Sequence, residues 1–421
     1  MTTAATLRQL RKRPLGRYRY VRLRWRVLFA AIDLLGTLVM SAFRRMQAIL
    51  CRRSSELSPA PRAILVIQLD HLGDAVISTV LFRALRRRYP AASIEVLAAP
   101  WNCEVFKLIP EVGEVHVCRV NRFSRGRRFG WLAAIVWWGL TLRRRKIDLG
   151  IDVRGEFPHA LILWLCGARQ RLGWSSGGGG FLLTHTPDYV ARRPEVLSRW
   201  ALLAEIGIRP EDDEQRRPVL EAPGPARSAV AERLTRFAGT RGALVVVHVG
   251  AGTQAKRWPA EHWRTLITWL VQFRQTVVVL VGDAADRIIT APIWPPHDLQ
   301  RQEGAVVDLV GELCVAELVA VLEQADLFIG GDSGPAHVAA ATGTPAVVLF
   351  SGTNRVRQWR PAGRSVRVLR HSTECSPCHR HECPLPGHPC MRGLSPQQVI
   401  ETVEPMLAEQ QSPLSGYGTH R

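Results

Sequence analysis

Leu244–Val249, Thr276–Val281, Leu327–Ile329 and Ala346–Phe350 are runs of Val, Leu and Ile without the apolar-polar alternation of a half-exposed strand. Strands read this way when helices cover both faces of their sheet, which is the arrangement of parallel sheets. Ile64–Leu69, Ser93–Ala98, Glu114–Cys118, Ile147–Val153 and the short Arg169–Trp174 form an earlier set of strands. Between the sets, Arg209–Ala226 mixes charge with four prolines and offers the best domain boundary. A chain of 421 residues, 47% apolar and 22% charged, suffices for two such domains. The expectation is an α/β protein with two doubly wound, Rossmann-like domains facing a cleft, residues 61–222 and 223–407, with residues 1–60 as an extension and 408–421 as a tail.

Ligands of such sheets bind beyond the carboxyl ends of the strands, and glycine turns stand at those ends here. "ILVIQLDHLGDAVISTVLFRALRRRYP" (Ile64–Pro90) runs from a strand through Gly73-Asp74 into an amphipathic helix. That helix turns Val76, Val80, Leu81 and Ala84 toward a core and Arg83, Arg86, Arg87 and Arg88 toward water. "GGDSGPAHVAAATG" (residues 330–343) repeats the plan. The first N–H groups of a helix are unpaired and carry partial positive charge, so such a turn can seat a phosphate or a carboxylate. A third turn, "VVVHVGAGTQAKRWPAEHW" (Val245–Trp263), places Lys256 after Gly250 and Gly252. Only four of the 56 cationic side chains are Lys, and a compact ammonium at a glycine-rich strand end suits phosphate oxygens. Two plainer readings stand beside these. Asp74 also fits a first-turn or capping acid, and His337 fits a satisfied structural imidazole as well as a ligand contact.

Charge is concentrated at the start of the chain. Residues 1–60 hold 13 Lys and Arg against Asp33 and Glu56, so +11 of the net +20 sits there. Such a block attracts nucleic acid or an anionic membrane face. No nucleic-acid-binding motif accompanies it, whereas the apolar run Val27–Phe43 does. That run is 17 residues long and contains Asp33, Thr37 and Ser41 at helical spacing, which favours a helix lying in a membrane interface, flanked by Arg24, Arg26, Arg44 and Arg45, over one that spans. A helix docked on the protein's own surface is the plainer alternative. No cleavage site follows the run to suggest a signal peptide. Gly130–Arg145 ("GWLAAIVWWGLTLRRR") reads as a core helix or, through its tryptophans, as a second membrane-touching element.

Taken together, these stretches resemble the glycosyltransferase family of the bacterial lipopolysaccharide heptosyltransferases, which use ADP-heptose. The resemblance rests on Ile64–Pro90, on "DVRG" with "RQRLGW" (Asp152–Trp174), on "GAGTQAKRWPAEHW", on Asp308–Phe350 and on "CSPCHRHECPLPGHPCM", in family order over roughly Arg62–Leu407. It implies a GT-B fold, with the acceptor on the first domain and the nucleotide sugar on the second; absence of a G-x-G-x-x-G fingerprint fits this better than a dehydrogenase. By the same resemblance Asp74 is the catalytic base that takes a proton from the acceptor hydroxyl, with Gly73 and Asp152 on the acceptor side. Lys256, Thr253, Asp332, Ser333, Gly334 and His337 fall on the donor side, where fixed donors meet the charge developing on a leaving nucleoside diphosphate. Some family members carry a Thr pair shortly before the Lys, where this chain has Ala251-Gly252 and only Thr253, so donor class is better indicated than donor identity.

Cys375, Cys378, Cys383 and Cys390 crowd four of nine cysteines into sixteen residues, interleaved with His379, His381 and His388. The density suits a tetrahedral zinc site, a pair of disulfides or packed thiols, and family members show a similar segment, which implies a structural role. A cytosolic location disfavours disulfides. The expectation is an inverting transferase, needing no cofactor for catalysis, that moves a heptose-like sugar from an ADP-sugar to an anionic lipopolysaccharide-core glycolipid at the cytoplasmic face of a bacterial inner membrane. Another nucleotide sugar with another glycolipid, or a catalytically silent nucleotide-sugar-binding protein docked on the membrane, are the alternatives.

Overall fold

Every strand pairing between named strands is parallel, as the unbroken apolar runs require. The computed structural model describes residues 18, 23–50, 60–119, 130–235, 242–272, 276–293 and 306–410. Most arginines of the basic block, the side chains of Arg44 and Arg45, and residues 411–421 of the tail lie outside the described residues. The chain forms two compact units.

The first unit comprises Met1–His71, Val80–Arg193 and Leu197–Arg216. Its sheet has the order β3-β2-β1-β4-β5, from β1 (Ala63–Gln68), β2 (Ser93–Ala98), β3 (Glu114–Val117), β4 (Leu149–Asp152) and β5 (Gln170–Gly173). The strand order reverses between β1 and β4, and at such a switch point the flanking turns diverge and leave a crevice. A long helix α1 (Leu23–Leu50) precedes the sheet. The helix expected after β1 is in fact two, α2 (Leu72–Ile77) and α3 (Thr79–Arg88). Ser78 Oγ donates to the Asp74 carbonyl and Thr79 Oγ1 to that of Val76, and hydroxyls that bond back in this way loosen a helix where they stand. Helices α4 (Gly130–Leu142) and α5 (Phe157–Leu165) pack together, with Gly139 of α4 directly against Leu165 of α5. Both bury one face in the core with Leu65, Ile67 and Leu97.

The second unit comprises Leu72–Thr79, Pro194–Val196 and Arg217–Arg421, so α2 groups with it. Its six-stranded sheet has the order β11-β10-β9-β6-β7-β8. The strands are β6 (Leu244–His248), β7 (Val277–Val281), β8 (Val306–Asp308), β9 (Leu327–Gly331), β10 (Ala346–Phe350) and β11 (Val366–Arg370). This is the doubly wound order with one strand more than the first unit has, and its switch point lies between β6 and β9. Helices α6 (Ala260–Gln272), α7 (Val315–Glu323), α8 (Gly334–Thr342) and α9 (Pro396–Gln410) accompany it. Trp258, Trp263 and Leu266 join Val245, Val247 and Ile329 in one core cluster with Met391 and Leu407. β8 and β11 are absent from the pattern of apolar runs for physical reasons. β8 has three residues, and β11 is an edge strand whose arginines face outward.

Candidate functional site

The switch point of the second sheet gathers most of the expected donor-side residues. β9 ends in Gly331, Asp332 follows, and Ser333 takes the N-cap position of α8, whose first turn holds Pro335. Proline suits that place because its missing N–H would be unpaired there anyway. Lys256 closes a 3₁₀ turn (Gln254–Lys256) that follows β6. Its ammonium donates to Asp332 Oδ2 at 2.7 Å and to the Asp332 carbonyl at 3.1 Å. Asn354 Nδ2 donates to the same Oδ2 at 2.8 Å. Thr253 Oγ1, beside the Lys256 turn, is buried and has no hydrogen-bond partner among the described residues. The combination leaves a cation, a helix N-terminus and an unsatisfied hydroxyl at one switch point.

His337 lies in α8, and α2 packs on it. A Cβ on Gly73 would stand 2.8 Å from His337 Cδ2, and one on Gly334 would stand 2.5 Å from Leu72 Cδ2. Two glycines thus let the N-termini of α2 and α8 approach closely, which gives Gly73 a packing role. Asp74 sits in the first turn of α2 and is 5% exposed. Burial pulls the His337 pKa down and outweighs the opposing charges of Asp332 and Asp74, so the ring is neutral near pH 7.

Several participants were not singled out from the sequence. Ser333 Oγ is 3.1 Å from His248 Nδ1, and His248 Nε2 is 3.4 Å from Asp286 Oδ2. Burial pushes the Asp286 carboxyl up, but the hydrogen bond and charge of His248 prevail and its pKa lies below the usual carboxylate range. His248 ends β6, where the spelling "VVVH" gives no sign of a partner 85 residues away. Asn354 is equally silent, because its role depends on β10 lying beside β9.

At the switch point of the first sheet, Asp152 is taken up by its own loop. Its Oδ1 accepts from the backbone N–H groups of Arg154 and Gly155, its Oδ2 from that of Glu156, and His159 Nδ1 lies 2.9 Å from Oδ1. Burial opposes a charge on His159, yet Asp152, with Glu156 and Asp70, outweighs it and raises the pKa. Asp152 therefore shapes the turn, and the charged group partly exposed there is Arg154, 3.3 Å from Asp70 Oδ1. The "DVRG" spelling contained both residues; that the arginine is the outward one depends on the four bonds that hold the aspartate.

The cysteine-rich segment braces the lysine turn. Ala255 N–H donates to the His381 carbonyl, His388 Nε2 lies 3.1 Å from the Ala255 carbonyl, and Cys383 N–H donates to Gln254 Oε1 at 3.0 Å. Cys375, Cys378, Cys383 and Cys390 are free thiols. Among the described residues, one group brings three metal-ligating atoms within 4.8 Å of one another: Glu95, Glu114 and His116. There Arg145 supplies the positive charge, with its Nε 3.2 Å from Glu95 Oε2. The four cysteines share one neighbourhood: burial raises the Cys390 pKa, and the charges of Cys383, Cys375 and Cys378 raise it further.

The sequence profile of Glycosyltransferase family 9 (heptosyltransferase) matches residues 138–388. The chain belongs to this family. It is 25% identical over 360 residues to lipopolysaccharide heptosyltransferase 2 of Escherichia coli, covering 83% of this chain and 99% of that one. Among solved structures, E. coli ADP-heptose lps heptosyltransferase II superposes with a TM-score of 0.67 at 23% identity, over 83% of this chain and 100% of that chain. The E. coli heptosyltransferase WaaC with ADP-2-deoxy-2-fluoro heptose gives 0.59 at 17% identity, over 82% and 99%. The fold is GT-B, and a family 9 chain is a glycosyltransferase; the Lys256 turn and the Asp332–His337 turn both lie inside the matched region.

Proposed function

We propose that this glycosyltransferase moves a heptose from an ADP-activated donor to the anionic core of lipopolysaccharide, with inversion at the anomeric carbon. The observation that carries the reading is Lys256, pinned by Asp332 at the β6/β9 switch point beside the N-terminus of α8. Held there, its ammonium and the first N–H groups of α8 are placed to meet the two phosphates of a nucleoside diphosphate and the charge that grows on it as the sugar leaves. Asp74 acts as the general base, taking the proton of the acceptor hydroxyl as that oxygen attacks. Arg154 offers the acceptor's anionic groups a cation on the first unit. These side chains and backbone dipoles supply the charge stabilisation without a metal ion.

The relatives' names speak for ADP-heptose, while Ala251-Gly252 before Thr253 leaves room for a different sugar on the same diphosphate. A donor panel offered to the purified chain with a lipopolysaccharide-core acceptor separates these: turnover is expected with ADP-heptose and not with UDP- or GDP-hexoses. Asp74→Asn should abolish transfer while ADP-sugar still binds. A variant that kept full turnover would remove Asp74 from the role, and a chain that binds the donor but transfers nothing would be the silent docking protein instead. The chemistry of the acceptor assigns the site of action to the cytoplasmic face of the inner membrane, where a nucleotide sugar and a nascent glycolipid can meet.

A further inference from the structure

Helix α1 faces the opposite way from an ordinary surface helix. Its one acid, Asp33, is 4% exposed and turns inward, where Oδ1 accepts from Gly179 N–H at 2.7 Å and Oδ2 from the Tyr18 hydroxyl at 2.7 Å. Phe29, on the same side, lies 6.2 Å from the ring of Phe157 in α5, and Gly36 lets the helix close onto Phe181. Its outer side is apolar: Leu35, Leu38 and Val39 are 63%, 61% and 66% exposed. Amphipathic spacing is therefore present as the sequence indicated, but its acid is the docked residue: Asp33 is buried, Thr37 is half-buried and Ser41 stays exposed. Helix α4 is built alike. It buries Ile135, Gly139 and Leu142 and leaves Trp137 57% and Leu140 53% exposed. Because α5 touches both, the three helices make one layer on the first unit.

We propose that this layer is a docking surface for an anionic phospholipid bilayer, entered by the outer faces of α1 and α4. By length and composition alone, Leu23–Ala42 could cross a membrane. The bonds of Asp33 to Gly179 and Tyr18 pin the middle of that helix to the protein, however, so its outer side is the one that meets lipid and the helix lies in the interface. Charge selects the occupant. Arg24 is exposed at the start of α1, and Arg143 and Arg144 are exposed just after α4, so basic groups stand at one end of each apolar face. Apolar side chains with arginines at one end fit acyl chains beneath phosphate headgroups, with the exposed Trp137 of α4 suited to the boundary between them. The inference rests on the glycolipid-acceptor reading above, since an enzyme acting on a lipid-anchored sugar gains from being held where that sugar is.

The test uses the full chain and vesicles of phosphatidylethanolamine with phosphatidylglycerol, read by co-sedimentation. Leu35→Gln/Leu38→Gln/Val39→Gln changes only exposed residues and should lower partitioning by about 100-fold, from the lost apolar burial. Trp137→Gln/Leu140→Gln should lower it by about tenfold, and raising salt to about 0.5 M should weaken the wild type only in part. Calorimetric affinity for ADP, measured on the same samples, should not change. Partitioning of the triple variant within about threefold of wild type overturns the proposal. So does a wild type that self-associates in buffer, disperses in the triple variant and ignores vesicles, because a second copy then covers the face. Vesicle binding without any ADP affinity would leave the surface standing and defeat the donor-site reading.

Discussion

Replacing Lys256 by Ala tests the donor site at its most exposed assumption. The ammonium has three donors, and two of them go to Asp332, one to Oδ2 and one to the carbonyl. One donor remains for a phosphate oxygen. A charge-assisted hydrogen bond contributes about 1.5–3 kcal/mol, so losing it should weaken ADP binding roughly 10- to 150-fold. A second effect runs the same way. Without the lysine, the buried Asp332 carboxylate keeps Asn354 but loses its counter-charge, and a bare anion beside a diphosphate repels it. Lys256→Ala/Asp332→Asn should therefore bind ADP more tightly than Lys256→Ala alone, although the double variant has lost one more native group. Calorimetry at fixed ionic strength measures all three proteins, with melting curves to show that each is folded. Equal affinity for wild type and Lys256→Ala would falsify the assignment, and a double variant weaker than the single would refute the part played by Asp332.

Gly73→Ala must push a methyl against the His337 ring and should cost about 1–3 kcal/mol of stability, readable as a lower denaturant midpoint. Gln254→Ala, which cuts the bond to Cys383 N–H, should raise the donor KM several-fold while leaving kcat within about twofold, because it loosens the turn that carries Lys256 rather than the reacting groups. For His159 the pKa is raised on folding, so its ionic contribution is complete below the unfolded value of about 6.5 and is lost as pH climbs through the folded value. The Tm difference between wild type and His159→Gln should accordingly be largest in mildly acidic buffer and shrink toward alkaline pH; a difference that grew with pH would reverse the assignment of charge to that ring.

The strands of both sheets were legible because burial on two faces leaves a continuous apolar signature, and Val277–Val281 and Ala346–Phe350 could hardly be anything else. The glycine turns were legible because a strand passing into a helix in a doubly wound sheet needs small residues at the crossing. What could not be read were the pairings made by topology: Asn354 with Asp332, His248 with Ser333, and His388 with the Ala255 carbonyl join residues 22, 85 and 133 positions apart. Helix α1 shows the same limit in another form. The period of its polar residues was plain, but periodicity fixes which residues share a side and says nothing about which side meets the protein. That was decided by the Gly179 N–H, which gives the one carboxylate of the helix a buried partner.

The unit that holds Lys256 is not one continuous stretch of chain. It takes in Leu72–Thr79, which reaches it from between β1 and α3 of the other unit, as well as Pro194–Val196. Recombination between relatives that exchanged everything after Arg217 would transplant α8 while leaving behind the short helix whose Gly73 was shaped to fit His337. Successful chimeras of this family should be those in which the eight residues from Leu72 travel with the donor half, so that the two helix ends are inherited together.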